Sequence, residues 1–131
     1  RAASGFDLNR LQLLSAVISR RTKLNLSEYD IYINFVGGFK ITEPAADLAV
    51  AMAIASAASG RELPDDLVVF GEVGLSGEIR RAGNAEKRIA EAKKMGFKAA
   101  VGPAGSAKDA KLKNFIKPVK NIREAFLQYL E

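Results

Sequence analysis

The sequence predicts an α+β domain, a mixed sheet packed with helices, and three observations carry that expectation. Apolar residues recur at helical spacing through Leu11, Leu14 and Ile18. Residues 44–59 form a nearly uninterrupted apolar segment that opens on Pro44 and ends at Gly60. Short strand-like runs, "YDIYINF", "LVVFGEVG" and "FKAAVGP", stand between the helical segments. The 131 residues suit one domain spanning 1–131, and 48% apolar content is enough for a full core at this size.

Taken in order, "FDLNRLQLLSAVISRR" reads as a helix with Asp7 as its N-cap. "YDIYINF" alternates as a strand, and "VGGFKIT" continues after a Gly-Gly bend, so the two are expected to pair antiparallel. Thr42 is placed to cap the helix over 44–59. That helix carries Leu48, Val50, Met52 and Ile54 among alanines, and such a helix is expected to be buried on every side. Asp47 falls in its first turn, where a carboxylate complements the helix dipole or takes hydrogen bonds of the turn.

"LVVFGEVGLSGEIRR" reads as two short strands about a Gly-Leu-Ser-Gly turn, and Gly71, Gly74 and Gly77 as backbone glycines of tight hairpins. Glu72 reads as an exposed strand carboxylate or a partner in an ion pair between subunits. "NAEKRIAEAKKMG" is an amphipathic helix with Ile89 and Ala92 inward and Gly96 at its end. A short buried strand, a basic loop or short helix, a further strand and the helix "NIREAFLQYL" complete the chain. There is no internal repeat.

Composition excludes several chemistries. With no Cys and no His, there are no thiol nucleophiles, disulfides, imidazole bases or thiolate and imidazole metal sites. Catalysis would need Ser or Thr with Lys, or carboxylates. There is no Trp and few aromatics, which disfavours base stacking as a design. No transmembrane run or signal peptide is visible, so the chain reads as soluble and cytoplasmic, without a membrane partner. It starts at Arg1 and reads as a piece of a longer chain. The net charge is +5, with basic clusters at 20–23, 79–81, 86–88, 93–94 and 108–113. A polyanion partner fits that charge, because Lys and Arg release counterions from a phosphate backbone. Ordinary surface solvation fits it too.

Laid over residues 30 to 104, the chain resembles the proteolytic domain of Lon, a fold of the ribosomal protein S5 domain 2 type. Lon's Pro-Ser-Ala-Gly falls on Pro44-Ala45-Ala46-Asp47, its Thr-Gly-Glu on Phe70-Gly71-Glu72 and its Leu-Arg-Gly on Leu75-Ser76-Gly77. Its Gly-Gly-Leu-Lys-Glu-Lys falls on Gly83-Asn84-Ala85-Glu86-Lys87-Arg88. The resemblance therefore puts Ala45 where the catalytic serine stands and Glu86 where the lysine stands. Such a dyad works because a desolvated lysine takes the serine proton; Ala45 has no oxygen and Glu86 nothing to activate. Among nearby residues, Lys40 on the preceding strand could reach the turn. Ser56 and Ser59 lie far down the helix. Lys87 points elsewhere around its own helix.

The stretches "RAASGFDLNRLQLLSAV", "VGGFKITEPAADLAVA", "LVVFGEVGLSGEIRR" and "EAKKMGF" are similar to the C-terminal domain of the bacterial RadA (Sms) family, over the whole chain. The resemblance implies a non-proteolytic Lon-like module of a DNA-dependent ATPase and branch-migration motor in recombinational repair. It implies a hexameric ring and a partnership with the recombinase RecA. ATP, Mg and Zn are implied for the full-length family, with none in this segment: there is no phosphate-binding loop and no cysteine. Catalytic, cofactor and metal residues are accordingly none. Candidates for contact with duplex or branched DNA are Arg80, Arg81, Lys87, Arg88 and Lys94, with Arg10 and Arg20 weaker. Two other readings stand beside this one: an oligomerisation scaffold without DNA contact, and a Ser/Lys peptidase, against which the missing dyad argues.

Overall fold

The computed structural model describes residues 1–130. The elements are β1 (Ala2–Ser4), α1 (Leu8–Arg21), β2 (Tyr32–Asn34), a 3-10 turn (Pro44–Ala46) running into α2 (Asp47–Ser59), β3 (Leu67–Val69), β4 (Glu72–Val73), β5 (Ile79–Arg80), α3 (Ala85–Lys94), β6 (Ala99–Pro103), α4 (Ala110–Lys113), β7 (Ile116–Val119) and α5 (Ile122–Tyr129). The α+β class holds, with the strands divided among three small sheets: β1-β2, β3-β6-β7 and β4-β5.

The three-stranded sheet is parallel throughout, with Val68 beside Ala100 and Val101 beside Lys117. Parallel strands need covered faces, and β6 shows how both are covered. Val101 enters the main core with α1, α2 and α5, whereas Ala100 joins a second cluster with Phe70, Ile89, Ala92, Ala107 and Phe115. The main core is built from Leu11, Leu14 and Ile18 of α1, Leu48, Ala51, Met52 and Ala55 of α2, and Ile122, Ala125 and Phe126 of α5. Several of these side chains are wholly excluded from solvent. Burying one Leu- or Ile-sized side chain stabilises the fold by about 1.5–3 kcal/mol, so this triple-helix contact is the principal source of cohesion.

Asp7 caps α1 as expected, its carboxylate accepting from the Arg10 N–H at 3.2 Å. The hairpin turn at Gly74–Gly77 holds β4 against β5 antiparallel. Two main-chain bonds, Ile79 N–H to Lys120 and Ile122 N–H to Gly77, tie that hairpin to the start of α5.

Three expectations are corrected. Residues 29–35 and 36–42 do not pair with each other. β2 lies parallel to β1 (Ala2 beside Tyr32), and Ile41 bridges parallel to Phe6. The physical reason is that residues 1–6 supply a strand that takes the ladder positions the hairpin would have used. Thr42 does not cap the central helix. Glu43 and Ala46 occupy the cap positions of the 3-10 turn and of α2, and neither makes a side-chain capping bond. Finally, α2 is not covered on every side: Ala53 and Ala57 are exposed on a face that no described element covers.

Candidate functional site: the opening turn of α2 and the basic rim of α3

The turn that leads into α2 is held by its own backbone. Ala46 N–H donates to Glu43, Asp47 N–H to Pro44, and Leu48 N–H to Gly71 at 3.0 Å. In return, Gly71 N–H donates to the carbonyl of Ala45 at 2.9 Å. Gly71 has φ +145°, and a Cβ there would fall 2.8 Å from Cγ2 of Ile79, so glycine suits both the backbone conformation and the space beside β5. Ala45 is 6% exposed, its methyl group packed inside rather than presented to solvent.

Asp47, one residue into α2, is 1% exposed and fully bonded. It accepts from Nε of Arg10 at 2.9 Å through one oxygen. Through the other it accepts from Nη2 of Arg10 and from the Val73 N–H at 3.1 Å. Asp47 raises the Arg10 guanidinium above its ordinary pKa by this bonding, against the opposing effect of partial burial. From the sequence, Asp47 reads as a partner of its helix dipole or a hydrogen-bonder of the turn. The structure adds an ion pair, buried on its carboxylate side, that joins α1, α2 and β4. Glu72 stands 4.0 Å from Arg10 at the edge of this group. A cleft of about 370 Å³ opens beside it, lined by Phe6, Arg10, Lys40, Thr42, Pro44 and Asp47. Lys40 lines this cleft together with Thr42 and Pro44 of the turn, while the Ala45 methyl is packed away from it.

The second dyad position, Glu86, lies in the first turn of α3. Its Oε1 accepts from the Lys108 N–H at 2.7 Å, which fastens the loop after β6 to the helix start. Two residues on, Arg88 pairs with Glu43 at the other end of the α2 turn and donates through Nε to Gly83 at 2.8 Å. Asn84 precedes the helix with φ +58°, the left-handed conformation that Asn tolerates best after Gly.

The basic candidates divide into engaged and free groups. Arg10 is committed to Asp47, and Arg88 to Glu43 and Gly83. Arg80 is exposed and paired with Glu78 at 3.0 Å. The Glu78 carboxyl sits below its usual range, first because its own amide donates to it and then because Arg80 does. Lys87 and Lys94 are exposed on the face of α3 opposite the buried Ile89 and Ala92. Arg20 is exposed in the last turn of α1. Arg81 is exposed and lies across the turn at Gly105, where a Cβ would come within 2.6 Å of its Nη2.

These contacts bring the loop carrying Lys108 and Lys111 against the start of α3. The sequence showed the cluster at 108–113 but gave no hint of where it folds. Residues Arg81, Lys87, Lys108 and Lys111 thus form one basic rim, assembled by Glu86 and Gly105 from segments more than twenty positions apart. No group of three or more acidic, His or Cys residues suited to a metal occurs among the described residues. No described helix is long and apolar enough to cross a membrane.

A helix-opening turn backed by a Gly-Glu strand, with a second helix start reaching across to it, defines a Lon-like domain. A family model described as "Subunit ChlI of Mg-chelatase" matches residues 9–106, a span that fits this Lon-like region. Proteins named DNA repair protein RadA are similar over most of the chain. The one from Rickettsia bellii is 54% identical over 97 residues, covering 74% of this chain and 22% of that protein. Those from Haemophilus influenzae and Aquifex aeolicus are 44% and 45% identical over 126 residues, covering 95% of this chain and 28% of each. The chain belongs to the RadA family of DNA repair proteins, as its Lon-like domain. It spans about a quarter of the length of these relatives.

Proposed function

We propose that this domain is a non-proteolytic module that grips the DNA backbone and builds the ring of a hexameric, ATP-driven branch-migration motor in recombinational repair. In this reading, nucleotide, Mg and Zn are handled by other parts of the longer polypeptide, RecA is a working partner, and the setting is the cytoplasm. The observation that carries it is the basic rim: Arg81, Lys87, Lys108 and Lys111 have side chains turned to solvent without a carboxylate partner among the described residues. Such cations contact phosphates, which fix position on the duplex and carry no base sequence.

Two features support the absence of peptidase chemistry. The dyad positions hold Ala45 and Glu86, and Glu86 is occupied as the acceptor for Lys108. The amides at the α2 start, which in a serine hydrolase would stabilise an oxyanion, are spent on Glu43, Pro44 and Gly71.

An oligomerisation scaffold without DNA contact is the competing reading, favoured by the exposed apolar side chains Tyr32, Val36 and Phe39. Titration of a fluorescent duplex at several salt concentrations separates the two. The DNA reading expects affinity that is insensitive to sequence and falls steeply with salt. Absence of binding at low salt would leave the scaffold.

A further inference from the structure

The exposed face of α2 is the least expected feature of the molecule. A helix with a single charged residue, Asp47, leaves Ala53 and Ala57 in solvent, one turn apart on one face. Beside them runs the outer edge of β2. In a parallel ladder, alternate residues turn their amide and carbonyl to opposite sides. The bonds Ala2 N–H to Ile31 and Phe35 N–H to Ser4 assign the odd-numbered residues to β1. The main-chain groups of Tyr32 and Asn34 therefore point outward, where no described strand meets them. Between this edge and α2 lies a cleft of about 490 Å³, floored by Val50, Ala53, Ile54 and Ala57. Tyr29, Tyr32, Val36 and Phe39, 54–91% exposed, cluster in the same stretch of chain.

We infer that this cleft is the seat of one additional β-strand, contributed by the same polypeptide from outside residues 1–131. The strand bonds to the outward amides and carbonyls of Tyr32 and Asn34. It sends alternate apolar side chains down onto Ala53 and Ala57, whose small side chains leave the depth a Val, Ile or Leu needs. Its polar alternates face the solvent side with Tyr32 and Asn34.

The choice of occupant follows from size. β2 is three residues long, so pairing through it gives only a few main-chain bonds. Stable association between separate chains buries about 1,200–2,000 Å² and must also overcome the loss of translational freedom. A three-residue edge by itself offers little of that area, whereas a tethered strand meets the edge at high effective concentration. The relatives supply the tether: this chain covers only 22–28% of their length. An edge this open and this apolar would otherwise be a site of aggregation.

The test compares the 131-residue chain with the full-length polypeptide that contains it. Hydrogen exchange is followed at the Tyr32 and Asn34 amides. Expected are fast exchange in the short chain and exchange slower by about tenfold or more in the full-length protein, independent of protein concentration. A photo-crosslinker on Ala57→Cys, in full-length protein mixed from ¹⁴N and ¹⁵N batches, should join Ala57→Cys to a segment of its own chain. Equal exchange in the two proteins, or crosslinks joining chains of unlike isotope, overturns the proposal; the latter assigns the cleft to a second copy.

Discussion

Arg10 closes two of its nitrogens on the carboxylate of Asp47, a residue 37 positions further along the chain. The same carboxylate accepts the Val73 amide, so one buried charge fixes α1, the start of α2 and β4 relative to one another. In a Lon-like fold this residue lies close to the nucleophile position. Here its whole bonding capacity serves the architecture.

Removing either partner of this pair should therefore destabilise the domain strongly. Arg10→Ala leaves Asp47 charged and 1% exposed, and breaking a buried pair from one side costs about 3–5 kcal/mol. Arg10 is itself partly exposed, so the loss should fall at the lower end. Asp47→Ala additionally orphans the Val73 amide and should cost more. Denaturant melts of both variants check the order. A loss below about 1 kcal/mol, the range of surface pairs, would show that the pair is not structurally important.

Restoring the dyad should not restore a peptidase. In an Ala45→Ser, Glu86→Lys double variant, the new hydroxyl lies where Ala45 is now packed away from solvent. The neighbouring amides remain committed to Glu43, Pro44 and Gly71, and the Lys108 amide loses its acceptor. The expected result is no turnover of casein or a fluorogenic peptide and no labelling by a serine-directed reagent. Specific labelling of the introduced serine would refute the account of the turn.

Alkaline stability should carry the signature of Tyr129. Burial raises its phenol above the usual value. The folded state thus holds the proton more tightly than the unfolded chain does. That contribution is fully present below the unfolded pKa, about 10, and is lost as pH rises through the folded value. Tyr129→Phe should flatten the fall in stability above pH about 10 without altering it at pH about 7. Identical alkaline unfolding curves for the two proteins would contradict this.

The elements were legible in the sequence where local chemistry decides them. Asp7 announced the start of α1, the Ile89–Ala92 spacing announced the inner face of α3, and Gly74–Gly77 announced a hairpin. What the sequence hid was pairing over distance. "VGGFKIT" looked like the partner of "YDIYINF" because the two are adjacent and strand-like. The first six residues outcompete it, and nothing in their composition marks them as a strand. The apolar run of α2 likewise says that the helix seeks cover, without saying that Ala53 and Ala57 find none. At the site, Ala45 and Glu86 were placed by resemblance. The engagement of Asp47 with Arg10, and of Glu86 with the Lys108 loop, depends on side chains that meet only in three dimensions.

The same interactions sort the basic residues and give the sharpest test of DNA binding. Charge alone put Arg88 among the leading candidates and Arg10 among the weaker ones, yet both are spent on carboxylates, whereas Arg81, Lys87 and Lys108 are free on one rim. Reversing Arg81, Lys87 and Lys108 to Glu should lower duplex affinity by about tenfold or more at low salt, since each neutralised phosphate contributes through counterion release. The log–log salt slope should become shallower by about 0.9 for each phosphate that is no longer neutralised. Arg88→Gln removes the Glu43 pair and should lower stability while leaving the salt slope unchanged. Lys94, two turns down the same face of α3 from Lys87, should have a smaller effect, measuring how far the rim extends. All variants are compared by fluorescence anisotropy with duplexes of unrelated sequence, after circular dichroism confirms folding. A triple variant that binds as tightly as the parent, with an unchanged slope, would remove the rim from the DNA-binding surface.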